Sequence, residues 1–103
     1  MTMYNDEMVK LLGEVYQGTL EAMNGAKHDP YEQTSGVFPL KCLLMLWPRV
    51  TPRNISKDLD DKMAQLMDMI TPEEIGELMN KPLPQELYLQ FEFGKMEQKQ
   101  KNN

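Results

Sequence analysis

Apolar side chains recur at every third or fourth residue along much of this sequence, and this spacing restricts the fold more than any other feature. A period of about 3.6 residues is typical of an amphipathic helix. The first such stretch extends from Asn5 to Asn24. Its apolar positions are Met8, Leu11, Leu12, Val15, Tyr16, Leu20 and Met23. Asn5 is a suitable N-cap, and Gly25 is a suitable stop because glycine accepts the left-handed backbone conformation.

Two glycines, Gly13 and Gly18, lie inside this predicted helix. Glycine in a helix interior is less favourable than alanine by up to about 1 kcal/mol. Because they lack side chains, the two glycines allow the close approach of another helix.

The segment from Leu40 to Trp47 is strongly apolar, with Lys41 as its only charge. Leucine and methionine dominate it and β-branched residues are absent, which favours a helix over a strand. Pro39 suits the first helical position, and Pro48 ends the segment. We therefore predict a short buried helix here, as the central element of the core.

Two further helices are predicted in the second half of the chain. The first runs from about Ser56 to Ile70, again with apolar residues at helical spacing. The second starts at the Thr-Pro-Glu-Glu sequence of residues 71–74. Here Thr71 caps the helix and Glu74 completes a capping box. We expect this helix to end at Asn80, just before a lysine and a proline.

The stretch from Leu87 to Phe93 is compatible with either a strand or a helix. Its apolar and polar residues alternate, which is a strand pattern. A single strand cannot satisfy its own backbone, and the sequence offers no good partner strand. We favour a helix that is apolar around much of its circumference and needs burial on more than one side. The predicted partner-binding residues are Leu87, Tyr88, Phe91 and Phe93.

These elements predict an all-α fold, a compact bundle of four to five short helices around the buried central helix of Leu40 to Trp47. A chain of 103 residues fits one domain. We place a single helical domain at residues 1–95 and a frayed polar tail at residues 96–103. The polar residues from Lys27 to Gly36 are predicted to form a surface loop.

The charge balance argues against nucleic acid as a partner. The sequence has 11 Lys and Arg against 16 Asp and Glu, a formal charge of -5, and an acidic chain is repelled by phosphates and by anionic lipid headgroups. Basic residues without acids occupy Pro39 to Lys57, and acids dominate Asp58 to Glu77. We interpret these two stretches as solvated helix surfaces.

The sequence also favours a cytoplasmic location. Cys42 is the only cysteine, so no intramolecular disulfide can form, and a reducing compartment is favoured. Met1 to Lys10 contains two acids and no apolar run, unlike a signal peptide. The longest apolar run is far shorter than the roughly 20 residues that a membrane helix needs.

Groups suited to catalysis or metal binding are few. His28 is the only histidine, and a mechanism that used it would need Cys42 or Ser35 as its nucleophile. We interpret His28 as a surface residue and Cys42 as an inert core residue. Four aspartates could be a cation site, but they lack the spacing and the glycine of a calcium loop. They are Asp58, Asp60, Asp61 and Asp68. We predict no catalytic residue, no cofactor, no metal and no small-molecule substrate.

We therefore expect a non-enzymatic protein, a regulatory or accessory factor of bacterial or phage type that forms a homodimer or docks on another protein. The alternative is a DNA-binding transcriptional regulator, because Thr71 to Phe93 looks like a helix-turn-helix, with Arg49, Arg53 and Lys57 contacting phosphates. Against it, the second helix of that segment offers no base before Lys95. Nucleic-acid binding is therefore the less favoured hypothesis.

Overall fold

The computed structural model describes residues 3–24 and 27–101, and these residues form helices without any strand. The helices are α1 (Asp6–Asn24), α2 (Pro39–Leu46), α3 (Lys57–Asp68), α4 (Pro72–Met79) and α5 (Tyr88–Lys101). Short 3-10 turns occur at Trp47–Arg49, Pro52–Asn54 and Gln85–Leu87. The predicted all-α fold is confirmed, and Leu87 to Phe93 is helical.

Helix α1 contributes the largest number of buried residues of the five helices. The side-chain oxygen of Asn5 accepts a hydrogen bond from the Met8 N–H at 2.9 Å, as expected of an N-cap. From Met8 to Leu20, all residues are buried except Lys10 and Glu14, which are partly exposed. The other helices that pack directly on α1 are α2, α3 and α5. Helix α1 is therefore the element around which the rest is arranged.

The predicted central position of residues 40–47 is not confirmed. Helix α2 buries Leu40, Cys42 and Leu43 against the core. Lys41 and Met45 on the same helix are exposed, so α2 has one side in solvent. An apolar segment of eight residues is long enough to cover one side of a core but too short to be surrounded by several helices.

Helices α1 and α5 pack at very short backbone separation because each has a glycine at the contact. A Cβ atom on Gly13 would overlap the carbonyl oxygen of Phe91, and one on Gly94 would overlap that of Lys10. Gly18 makes room for α3 in the same way, since a Cβ there would lie 2.7 Å from Leu59 Cδ1. The close helix approach predicted from Gly13 and Gly18 is therefore present.

The starts of α3 and α4 follow local sequence signals. The Ser56 hydroxyl oxygen accepts a hydrogen bond from the Leu59 N–H at 3.1 Å. At α4, the Thr71 N–H and hydroxyl both donate to Glu74 Oε1, at 3.1 and 2.7 Å. The bonds from the Leu59 and Thr71 N–H groups satisfy backbone donors that have no partner within the helix, and the predicted capping box is confirmed.

The expected frayed tail from residue 96 differs from the structure. Helix α5 continues to Lys101 without a break at residue 95. Gln98 is buried and accepts a hydrogen bond from Lys62 Nζ at 2.8 Å, which ties this last part of α5 to α3. Residues 102 and 103 of the predicted tail, and the predicted helix stop at Gly25, lie outside the described residues.

The polar segment between α1 and α2 is held in place by side-chain hydrogen bonds. Asp29 Oδ1 accepts hydrogen bonds from the Tyr16 hydroxyl at 2.7 Å and from the Tyr31 N–H at 2.9 Å. Ser35 is buried, whereas His28 is exposed.

In the part of the chain that the structure describes, no helix is both long and apolar enough to cross a membrane.

Candidate interaction surface

Helix α5 has two opposite faces of different character. Its inner face consists of Phe91, Gly94 and Gln98, which are all buried against the rest of the protein. Its outer face carries three large apolar side chains in one line. They are Leu89, Phe93 and Met96, with exposed fractions of 63%, 48% and 53%. At 100° per residue these positions lie opposite the inner face. We call these three residues the outer stripe.

The sequence prediction of the contact residues mixed both faces. Phe93 is in the outer stripe, and Tyr88, at 43% exposure, lies beside it. Phe91 was wrongly assigned, because it is fully buried, with its ring centroid 5.8 Å from that of Tyr16. Leu87 is partly buried and packs on the core. Phe91 is therefore a core residue and cannot contribute to a contact surface.

Leu89 and Met96 are the members of the outer stripe that sequence reasoning missed. Leu89 lies four residues before Phe93, and Met96 lies three residues after it. In a helix this spacing places all three side chains on one side. The prediction instead relied on aromatic residues, because exposed aromatics commonly mark interfaces. A helical projection of residues 87–98 would have separated the two faces.

Charged and polar side chains border the outer stripe on both sides. Glu92 and Lys99 follow one edge, and Gln90 and Glu97 follow the other. Glu97 forms an ion pair with Lys10, whose Nζ lies 3.1 Å from Glu97 Oε1. An apolar line with a polar border is the arrangement expected of a contact surface in water.

Tyr88 extends the exposed apolar surface toward the polar segment before α2. Gly36 lies under its ring, since a Cβ on Gly36 would be 3.0 Å from Tyr88 Cε1. Val37 next to it is also exposed. A hydrogen bond and the negative charge of Glu92 raise the pKa of the Tyr88 hydroxyl above its usual value. An open cleft of about 900 Å³ between Val37, Leu83 and Tyr88 completes this region.

A second, more polar cleft of about 400 Å³ lies between α1, the loop near His28 and α5. Lys95 and Lys99 contribute positive charge to its lining, whereas Glu32 and Glu92 contribute negative charge. This mixture gives the cleft no dominant sign of charge. It therefore does not define a chemical class of ligand.

The residues considered for chemistry lie in different environments. Cys42 is buried in α2, and burial raises the pKa of its thiol, so the reactive thiolate is disfavoured. His28 is exposed on the loop. Asp58 and Asp61 in the first part of α3 pair with Lys62 and Lys57, at 3.4 and 3.2 Å. Over residues 3–24 and 27–101, no three His, Cys, Asp or Glu side chains are grouped as metal ligands would be.

The segment that looks like a helix-turn-helix folds into two helices with different packing partners. Helix α4 packs on α2, whereas α5 packs on α1. The exposed residues at the start of α5 and just before it are Gln85, Glu86, Tyr88 and Leu89. Neither this packing nor these side chains favour insertion into a DNA groove.

Comparison with protein-family models, curated proteins and solved structures finds no match to this chain. The outer stripe of α5 is the candidate interaction surface of this protein.

Proposed function

We propose that this protein is a non-enzymatic interaction protein that binds a protein partner through the outer stripe of α5. The observation that carries the proposal is the exposure of three large apolar side chains on a helix whose other face belongs to the core. Contiguous apolar patches that soluble monomers expose commonly mark interaction sites. Leu89, Phe93 and Met96 follow one another along the same side of α5.

The energetics suit a reversible contact. Full burial of a Leu, Phe or Met side chain is favourable by roughly 1.5–3 kcal/mol. Association also costs translational, rotational and side-chain freedom, so three such residues support modest affinity rather than a permanent complex. A regulatory or accessory role, in which the partner is bound and released, fits this strength. We assign it to the class of bacterial or phage accessory factors that act in the cytoplasm, where the free Cys42 would stay reduced.

Site-specific photocrosslinking in living cells tests this proposal. A photoreactive amino acid is placed at Phe93 of α5 in one variant and at Met45 of α2 in another. The two side chains are almost equally exposed, at 48% and 44%, so they are a matched pair. We expect a discrete protein adduct from position 93 and none from position 45. Adducts of equal yield at both positions, or none at either, would contradict the proposal.

A further inference from the structure

We infer that the outer stripe binds a second copy of this chain, with the two α5 helices side by side and antiparallel. This inference rests on the proposed function and deepens it by naming the partner. It is carried by the spacing of the stripe and by the charges that border it.

The stripe has the spacing of a coiled-coil seam. Leu89, Phe93, Met96 and the exposed Gln100 are separated by four, three and four residues. In heptad notation they alternate between positions d and a, the positions that interlock in a helix pair. The seam extends over the exposed side of α5, while the inner face stays fixed to α1 through Gly94. Helix α5 can therefore pair with another helix without leaving its own core.

The bordering residues occupy the positions that decide orientation. Glu92 and Lys99 are at heptad position g, and Gln90 and Glu97 are at position e. Residues at e and g face each other across a helix pair and select the partner and its direction. Their charges can therefore be compared for the two possible orientations.

In a parallel pair, g of one helix faces e of the next heptad on the other. Glu92 would then face Glu97 of the partner subunit, and twofold symmetry would repeat this repulsion. In an antiparallel pair, g faces g, so Glu92 faces Lys99 of the partner subunit. Symmetry then gives two attractive pairs, while Gln90 faces Glu97 of the partner subunit without repulsion. The charge pattern therefore favours the antiparallel homodimer.

Among the described residues, neither charge needed for this pairing has an ion-pair partner closer than 3.7 Å. Glu92 accepts a hydrogen bond from the Tyr88 hydroxyl, and its Oε1 lies 3.7 Å from Lys95 Nζ. Lys99 is exposed and makes no ion pair with any residue that the structure describes. In the antiparallel register, Phe93 packs on Met96 of the partner subunit, and the sulfur of methionine makes favourable contacts with aromatic rings. The symmetric pairing thus uses each member of the outer stripe.

Sedimentation equilibrium over a concentration series tests self-association. We expect the wild-type chain to dimerise with a dissociation constant on the order of 10–100 µM, since the seam is short. Phe93→Glu and, independently, Leu89→Glu should be monomeric throughout, while the control Met45→Glu should dimerise like the wild type. Both stripe residues are exposed, and circular dichroism verifies that each variant keeps its helix content. A wild-type chain that stays monomeric to about 500 µM would overturn the inference.

Charge exchange tests the antiparallel orientation. Glu92→Lys and Lys99→Glu should each weaken the dimer by roughly 5- to 10-fold, because two attractive pairs become repulsive. The combined variant should return to within about 2-fold of the wild type. Glu73→Lys, the same charge change on exposed α4, is the control. In a parallel dimer Glu92→Lys would instead strengthen association, since it would face Glu97 of the partner subunit, and this result would refute the antiparallel arrangement.

Failure of this inference is distinguishable from failure of the proposed function. The mass of an adduct formed at position 93 equals twice that of the chain only if the partner is a second copy. A monomeric chain that gives an adduct of another mass leaves the proposed function intact and overturns the homodimer. A monomeric chain that gives no adduct overturns both.

Discussion

Gly94 of α5 lies directly against the backbone of Lys10 in α1, at a separation that admits no side chain. A Cβ atom at residue 94 would overlap the Lys10 carbonyl oxygen and would lie 3.0 Å from the backbone nitrogen of Glu14. Both are backbone atoms, which cannot rotate out of the way as the end of a side chain would. The pairing of α1 and α5 therefore depends on glycine at this position.

We accordingly expect Gly94→Ala to lower the free energy of unfolding by about 2–3 kcal/mol. The gain in helix propensity, about 1 kcal/mol, is outweighed by forcing two backbones apart. Gly76→Ala on α4 is the matched control, because a Cβ there meets nothing within 4 Å. It should stabilise the protein by roughly 0.5–1 kcal/mol. Urea denaturation followed by circular dichroism measures both, and equal effects of the two variants would contradict this explanation.

Lys62 joins three helices at a largely buried position. Its Nζ lies 3.2 Å from Glu14 Oε1 on α1 and 2.8 Å from Gln98 Oε1 on α5. Lys62→Met removes this cation and leaves the Glu14 carboxylate without its partner. We expect a loss of about 1–3 kcal/mol in the free energy of unfolding.

Two further variants separate the effect of the charge from that of packing. Adding Glu14→Leu to Lys62→Met should recover most of the loss, because an apolar pair can replace a buried ion pair. Lys57→Met, which breaks an exposed pair with Asp61, should change stability little. A large loss in Lys57→Met, or no recovery in the double variant, would show that the buried position of Lys62 is not the cause.

Alkaline pH should destabilise the fold through its buried tyrosines. Burial raises the pKa of Tyr4 from 10.0 to about 12. Burial and a hydrogen bond to Asp29 also raise the pKa of Tyr16. A tyrosine with a higher pKa in the folded than in the unfolded state stabilises the fold fully below its unfolded pKa, and this contribution is lost as pH rises through the folded pKa. Stability should therefore fall from about pH 10 toward pH 12.

The contribution of Tyr4 can be isolated with Tyr4→Phe. Its hydroxyl donates to the Leu78 carbonyl oxygen at 2.8 Å, so the variant should lose about 1 kcal/mol near neutral pH. Above pH 10 its stability should decline less steeply than that of the wild type, because one titrating group is gone. Urea denaturation at pH 8 to 12 measures the slopes. Identical slopes would mean that Tyr4 ionises freely in the folded protein.

Cys42 should be almost unreactive toward thiol reagents in the folded protein. It is buried in α2, and burial raises the pKa of its thiol, so both access and thiolate are limited. We expect labelling by a chromogenic disulfide to be slow in buffer and fast in denaturant. The matched control is Gln65→Cys combined with Cys42→Ala, which places the thiol at an exposed position of α3. Rapid labelling of native Cys42 would indicate that α2 opens frequently.

Local signals predicted the helices well, because each depends on a few neighbouring residues. Asn5 caps α1, and Thr71 with Glu74 caps α4, as the sequence indicated. The inner face of α5 could not be identified in this way. Phe91 faces inward because Gly94 fits against Lys10, and that fit joins residues far apart in the sequence. Apolar character alone does not distinguish Phe91 from Phe93.

Contacts between residues far apart in the sequence also decide which helix is central, whereas hydrophobicity alone predicts α2 for that position. Residues 40–47 are strongly apolar, but Met45 and Lys41 face solvent. Helix α1 occupies the central position although charged residues interrupt it. Its length of 19 residues allows several helices to pack along it, and its glycines admit α5 and α3 closely. The position of a helix in this fold therefore depends on its length and on how closely other backbones can approach it, as well as on its hydrophobicity.

The pairing of α1 with α5 also shapes how the chain folds as it leaves the ribosome. Helix α1 starts at Asp6, yet α5, which covers most of its glycine-containing side, starts only at Tyr88. Contacts between distant segments slow folding, because a long loop must close before they form. Until α5 arrives, the nascent α1 exposes apolar surface to solvent and to chaperones. We therefore expect slower folding than is usual for small helical proteins.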